Sequence, residues 1–294
     1  EIIKVGHEVV LVVSQPDKAV GRSKALKYTP VKECALAHGI EVYQPERVRD
    51  SACIEYLKSF HADIMIVVAF GQIIPRAILD MPRYGCVNVH ASLLPKYRGA
   101  APIQWAVLNG DREAGVTTMQ MNEGLDTGDM LLTSSRTLQD DTTAGELFDL
   151  LCEDGAELLS QTLRSLEAGT LHPIPQDDTK ASYAPMLDKS MSRIDWNRSA
   201  WEVHNQVRGL NPWPSASTLY HGKTLKVHTS HVGDDTDAAA GSVVSVSPLQ
   251  IACGDGKAIV LDEVQIEGSK RMAASDFLRG HPLEIGDQLP GREQ

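Results

Sequence analysis

Cys86-Val87-Asn88-Val89-His90-Ala91-Ser92-Leu93-Leu94-Pro95-Lys96-Tyr97-Arg98-Gly99-Ala100-Ala101-Pro102 is an apolar strand that delivers two polar side chains at the mouth of a loop punctuated by proline and glycine. Asn88 and His90 stand two residues apart, so on a strand both point to one face. A carboxamide and an imidazole side by side at a strand end can donate two hydrogen bonds to one oxygen, which is what an oxyanion developing at an attacked carbonyl requires. Taken alone, an Asn or His at a strand terminus is more often a cap or a loop anchor.

Upstream, short buried strands are predicted at 9–13, 41–43, 64–68 and 86–89, with helices at 29–38 and 51–59 between them. That alternation predicts an α/β domain with a doubly wound, mostly parallel sheet, whose sites lie at the carboxyl ends of the strands. Asn88 and His90 are placed as that rule requires. Downstream, an alternating run at 116–121 leads into Met121-Asn122-Glu123-Gly124-Leu125-Asp126-Thr127-Gly128-Asp129, an acidic turn bracketed by glycines. A carboxylate presented there could orient the His90 ring and fix its tautomer. Asp126, between the two glycines, is the first choice; Asp129 is the competitor, with turn capping as its ordinary role.

An amphipathic helix is predicted at about 143–168, with Asp141 or Thr142 as N-cap and Glu146 in the first turn. Residues 172–189, rich in Pro, Asp, Ser and Lys, read as a linker. A helix is expected over 194–210, and from Ala216 short strands recur between turns such as Gly254-Asp255-Gly256, the texture of a small barrel. The division is therefore 1–172 catalytic domain, 173–189 linker and 190–294 C-terminal domain.

Five scattered cysteines without a C-x-x-C pair read as reduced thiols and no zinc site, in a cytoplasmic protein. The longest strongly apolar run, 64–70, is too short to span a bilayer. The net charge of −11 argues against a generally basic surface, yet Lys18, Arg22, Lys24, Lys27 and Lys32 stand together with no acidic residue between them, as in a flexible basic loop. Such a focused patch can bind RNA with salt-dependent affinity. Trp213 is expected to be a core or interface residue rather than a stacking platform.

Asn88-x-His90-x-Ser92-Leu93-Leu94-Pro95, Arg98-Gly99-x-x-Pro102 and Gly124-Leu125-Asp126-Thr127-Gly128-Asp129 together resemble the signature of the folate-dependent formyltransferases. Ser14-Gln15-Pro16-Asp17, Gly21-Arg22, Tyr28-Thr29-Pro30-Val31-Lys32, Val68-Ala69-Phe70-Gly71, Asn211-Pro212-Trp213-Pro214 and Gly254-Asp255-Gly256 are similar to the branch that acts on methionyl-tRNA. The similarity covers nearly the whole chain. It implies an OB-like C-terminal barrel and transfer of the formyl group of 10-formyltetrahydrofolate to the α-amino group of methionyl initiator tRNA. Asn88 and protonated His90 would bind the oxyanion, with Asp126 holding His90 and, through a water, helping to deprotonate the amine. Folate would lie against Phe70, Gly71, Ser92, Leu93, Leu94 and Pro95, and the tRNA acceptor arm against Arg22, Lys24 and Lys27. Lys223, Lys226, Lys270 and Arg271 form a second candidate RNA surface. No metal is required, and the enzyme is expected to be a monomer.

Against the family pattern, one βα unit with a glycine-containing loop is missing ahead of Glu1, and its strand belongs inside the sheet. Unpaired strand edges and impaired recognition of the amino-acid substrate are the expectation. Asn122 replaces a common acidic residue, with no expected effect on chemistry. The rival readings are a formyltransferase for a nucleotide-linked amino sugar, and a folate- or RNA-binding remnant without transfer activity.

Overall fold

The structure, a computed structural model, describes residues 1–20 and 25–291. In chain order the elements are β1 (Val12–Val13), β2 (Lys18–Val20), β3 (Ala25–Lys27), α1 (Pro30–Ala37), β4 (Val42–Tyr43), α2 (Ser51–Lys58), β5 (Met65–Val67), α3 (Arg76–Leu79) and β6 (Cys86–His90). There follow β7 (Arg98–Gly99), α4 (Pro102–Leu108), β8 (Glu113–Gln120), β9 (Met130–Thr137), α5 (Ala144–Glu167) and β10 (Tyr183–Ala184). The remainder is α6 (Ala200–Gly209), β11 (Ala216–Tyr220), β12 (Lys223–Asp235), β13 (Val243–Val246), β14 (Leu249–Ala252), β15 (Lys257–Ile266), β16 (Met272–Ala273) and α7 (Ala274–Gly280). The chain divides into one unit of Glu1–Arg98, Gly115–Ser134 and Cys152–Ser182 and a second of Gly99–Ala114, Ser135–Leu151 and Tyr183–Gln294.

In the first unit, β1 pairs with β4 and β5 with β6, both in parallel, as the βα alternation implies. Strand β8 then runs antiparallel to β6, with His90 opposite Thr117, and β9 completes the sheet β5–β6–β8–β9. The strands β1–β4 and β5–β6–β8–β9 thus stand as separate sheets rather than one continuous sheet. A side-chain period of two marks a strand without marking its direction, which is why the antiparallel step was not visible. Each face of the β5–β6 ribbon has its own core. Met65 and Cys86 pack with Val48, Cys53, Leu57 and Leu79, while Ile66, Val87 and Val89 pack with Leu131, Leu159 and Leu163. By alternation, Asn88 and His90 continue the Cys86 face beyond the point where its apolar core ends.

Helix α5 covers the other face. Gly155 permits its close approach, since a Cβ there would stand 3.1 Å from Val89 Cγ1, and Thr162 Oγ1 lies 2.8 Å from Thr118 Oγ1. The helix starts one residue later than expected. Thr143 forms the capping box, its N and Oγ1 donating to Glu146 Oε2 while Glu146 N donates to Thr143 Oγ1 at 3.2 Å.

The basic stretch from Lys18 is a hairpin at its base, not a loop throughout, with Lys18 opposite Lys27. Lys32 lies beyond it on α1, where its Nζ donates to Asp17 Oδ2 at 2.5 Å and Gln44 Oε1 at 2.6 Å. The bond from Lys32 is the main reason that the Asp17 carboxyl is held below its ordinary range. Arg22 and Lys24 lie outside the described residues.

The second unit carries the antiparallel order β11–β12–β15–β14–β13, with β16 on β15, over a core of Leu225, Val227, Ile251, Ile259, Leu261, Val264 and Phe277. Helix α6 is shorter than its pattern suggests. Ser199 and Glu202 form a capping box that starts it at Ala200, and Ile194 N instead bonds Ser217 O at 2.9 Å. Trp213, expected in a core or interface, is 53% exposed: the prolines on either side keep it out of regular structure. No helix among the described residues is long and apolar enough to cross a membrane.

Candidate active site

Strand β6 brings Asn88 and His90 to its carboxyl end with both side chains buried. The loop that follows is bound to the sheet through Thr117, whose Oγ1 donates to Ser92 O at 2.7 Å and accepts from Leu94 N at 3.2 Å. Ser92 Oγ donates to Lys96 O at 2.6 Å. This folding returns Tyr97 to the strand end, where its carbonyl oxygen lies 2.9 Å from His90 Nε2. A carbonyl can only accept, so Nε2 carries the proton and Nδ1 is the ring nitrogen turned away from Tyr97.

The acidic turn between β8 and β9 closes on that nitrogen. Asn122 Oδ1 accepts from Gly124 N at 3.0 Å and Thr127 Oγ1 at 2.8 Å, shaping the turn. Gly128 is obligatory, because a Cβ there would lie 1.7 Å from Gln120 O. Asp126 adopts a left-handed backbone, φ 53°, and its carboxylate places Oδ2 3.7 Å from His90 Nδ1 and Oδ1 3.5 Å from Asn88 Nδ2. Those separations exceed a strong hydrogen bond, so three polar groups surround a small volume without closing on one another. Such contacts commonly tighten when substrate arrives. Asp129 is exposed, and its carbonyl accepts from Gln120 N at 2.9 Å, an ordinary part of the hairpin.

Cys86 shares the face of Asn88 and His90, but burial pushes its thiol up to about 12, which removes it as a nucleophile near neutral pH. Phe70 and Gly71 follow β5, whose Val67 is the register partner of Asn88. Phe70 is half-buried and its carbonyl accepts from Gln15 Nε2 at 2.6 Å; Gly71 is exposed. Leu94 and Ser92 are buried, with Leu93 and Pro95 half-buried beside them. Several backbone groups of this loop are engaged within the protein; Leu93 and Pro95 are its partly exposed apolar side chains, and Lys96 is exposed. Val68, Ile73 and Leu125 are exposed at 59%, 89% and 59%, an apolar fringe on the segments that bear the polar groups. Lys27 is exposed at the end of β3.

Sequence reasoning missed Gln176. Its Nε2 donates to the carbonyls of Asp126 and Gly128 at 2.8 and 2.7 Å, and its Oε1 accepts from Arg98 Nε and Nη2 at 3.0 and 2.8 Å. No local pattern marks such a residue in a polar, proline-rich stretch.

An amide, an imidazole and a carboxylate converging at a strand end of an α/β sheet have the chemistry that polar acyl transfer uses. Residues 2–163 match the formyl transferase family and residues 186–282 match the formyl transferase C-terminal domain, so the chain belongs to the formyl transferase family. It is 53% identical over 296 residues to a methionyl-tRNA formyltransferase of Lachnospira eligens, covering 98% of this chain and 94% of that protein. Its fold is similar to an N-formyltransferase from Helicobacter canadensis in complex with folinic acid and dTDP-3-aminofucose (TM-score 0.67, 19% identity, 88% of this chain and 92% of that one). It is also similar to HypX from Aquifex aeolicus in complex with tetrahydrofolic acid (TM-score 0.63, 19% identity, 96% of this chain). The chain spans about half of HypX, 50% of its length.

Proposed function

We propose that this chain transfers the formyl group of 10-formyltetrahydrofolate to the α-amino group of methionyl initiator tRNA, as a cytoplasmic, monomeric enzyme. The observation that carries the chemistry is the convergence of Asn88 Nδ2, His90 Nδ1 and the Asp126 carboxylate. The 53% identity to the methionyl-tRNA enzyme, against 19% to the sugar enzyme, favours the tRNA substrate.

The amine attacks the formyl carbon, and the carbonyl oxygen takes up negative charge. Asn88 Nδ2–H and, with the ring protonated, His90 Nδ1–H donate to it, while Nε2–H remains bonded to Tyr97 O. Asp126 orients Nδ1 and, through a water, accepts the proton lost by the amine. Collapse re-forms the carbonyl and releases the folate nitrogen, which takes a proton. The formyl donor would lie on the fringe beside these groups, its flat rings over Val68, Phe70, Leu93 and Leu125, with Gly71 and Pro95 at the edge and buried Ser92 and Leu94 shaping the loop from beneath.

Arg22, Lys24 and Lys27 would hold phosphates of the acceptor arm. The test is the affinity for methionyl-tRNA measured against salt. A log–log slope that falls by roughly 1 on changing Arg22 to Ala supports the assignment; a flat dependence supports the nucleotide-linked amino sugar instead.

A further inference from the structure

Asp126 holds a left-handed backbone conformation, uncommon outside glycine although Asp tolerates it better than most residues. Gln176 bonds the carbonyl of that residue and the carbonyl two positions on. Arg98 only donates, so the Gln176 oxygen must face Arg98 and its NH2 group must face the carbonyls of Asp126 and Gly128, fixing the amide's orientation. Arg98 is itself mostly buried, and its Nη2 also reaches Asp178 Oδ1 at 2.8 Å, an 83% exposed carboxylate whose contribution water screens.

We propose that Gln176, backed by Arg98, is a positioning residue that sets the backbone of the acidic turn so that the Asp126 carboxylate stays in register with Asn88 and His90. The inference rests on the role proposed above for Asp126. Attachment of the segment is not what Gln176 supplies: two residues earlier, Ile174 and Met130 exchange backbone hydrogen bonds of 2.8 and 2.9 Å and already tie it to β9. The two donors of Gln176 add nothing to that bridge. They bond the carbonyl of Asp126 itself and that of Gly128.

Gln176→Glu keeps the size and the acceptor for Arg98 but removes both donors, and Gln176→Met keeps the volume alone. With the purified protein, formyl transfer to methionyl-tRNA is measured as kcat and KM beside the melting temperature, for these variants, for Asp126→Asn, and for Gln176→Met combined with Asp126→Asn. The expected result is a kcat lower by roughly 10- to 100-fold with KM for both substrates little changed and the melting temperature held. The combined variant is then no slower than Asp126→Asn alone, because Gln176 acts through that carboxylate. Normal kcat in both Gln176 variants, losses that multiply in the combined variant, or failure of both to fold would each overturn the proposal. Full turnover by Asp126→Asn would overturn the role of Asp126 itself, a result distinct from a slow Asp126→Asn beside active Gln176 variants.

Discussion

His90 Nε2 lies 2.9 Å from the carbonyl oxygen of Tyr97, which leaves Nδ1 as the only ring nitrogen able to meet both Asp126 and a reacting oxygen. His90→Ala is therefore expected to bind folate normally and to lower the rate of formyl transfer about 100- to 1000-fold, as loss of an oxyanion donor usually does. Single-turnover kinetics at saturating substrate check this; near-normal turnover removes His90 from the mechanism.

Gly128→Ala tests the turn that carries Asp126. The added carbon meets Gln120 O at 1.7 Å, so the backbone must shift, at a cost of about 1–3 kcal/mol. The expected outcome in urea unfolding is a lower midpoint with unchanged slope, accompanied by a fall in kcat as the carboxylate moves.

The start of α6 depends on Ser199 and Glu202. Hydrogen bonds from Ser199, with Arg198 adding to them, pull the Glu202 carboxyl from 4.5 to about 2. Its folded value lies below its unfolded one, so its stabilisation is present above pH 4.5 and is lost as pH falls toward 2. Ser199→Ala should cost about 1 kcal/mol near neutrality. The half-exposed Glu202 contributes less than its full shift implies. Glu202→Gln should melt below the unchanged protein at pH 7 and converge with it in acid.

His204 gives the second unit an acid limit. Burial pushes its imidazole down, with Arg208 and His231 acting in the same sense and Asp140 opposing. The neutral ring donates from Nε2 to Asp140 O at 2.8 Å and accepts at Nδ1 from Ser230 Oγ at 3.0 Å. The unfolded chain binds the proton first, near about pH 6.5, so stability is complete above that value and falls as pH drops below it. His228 shifts in the same direction, chiefly through burial. His204→Gln should flatten part of the fall in melting temperature between neutral pH and mild acid; an unchanged profile would contradict this.

The common face of Asn88 and His90 was legible because a strand repeats every two residues, and the helix expected over 29–38 is found at Pro30–Ala37, with Thr29 as its N-cap. The capping residue of α5 was misplaced by one position because Asp141, Thr142 and Thr143 all suit that role and only the reciprocal bonds with Glu146 separate them. Likewise, Asp126 and Asp129 differ little in sequence; their distance from His90 is set by the turn and by Gln176, whose partners lie 50 and 48 residues away. The pairing of Lys32 with Asp17 was hidden for the same reason, since charge composition does not show which lysines face a carboxylate.

The most direct measurement is formylation of methionyl initiator tRNA by the purified protein with 10-formyltetrahydrofolate, run beside His90→Ala. The account predicts formylmethionyl-tRNA from the unchanged chain and a rate at least about 100-fold lower from the variant. Folded, folate-binding protein that formylates no methionyl-tRNA, or formylates it equally well without His90, would contradict it.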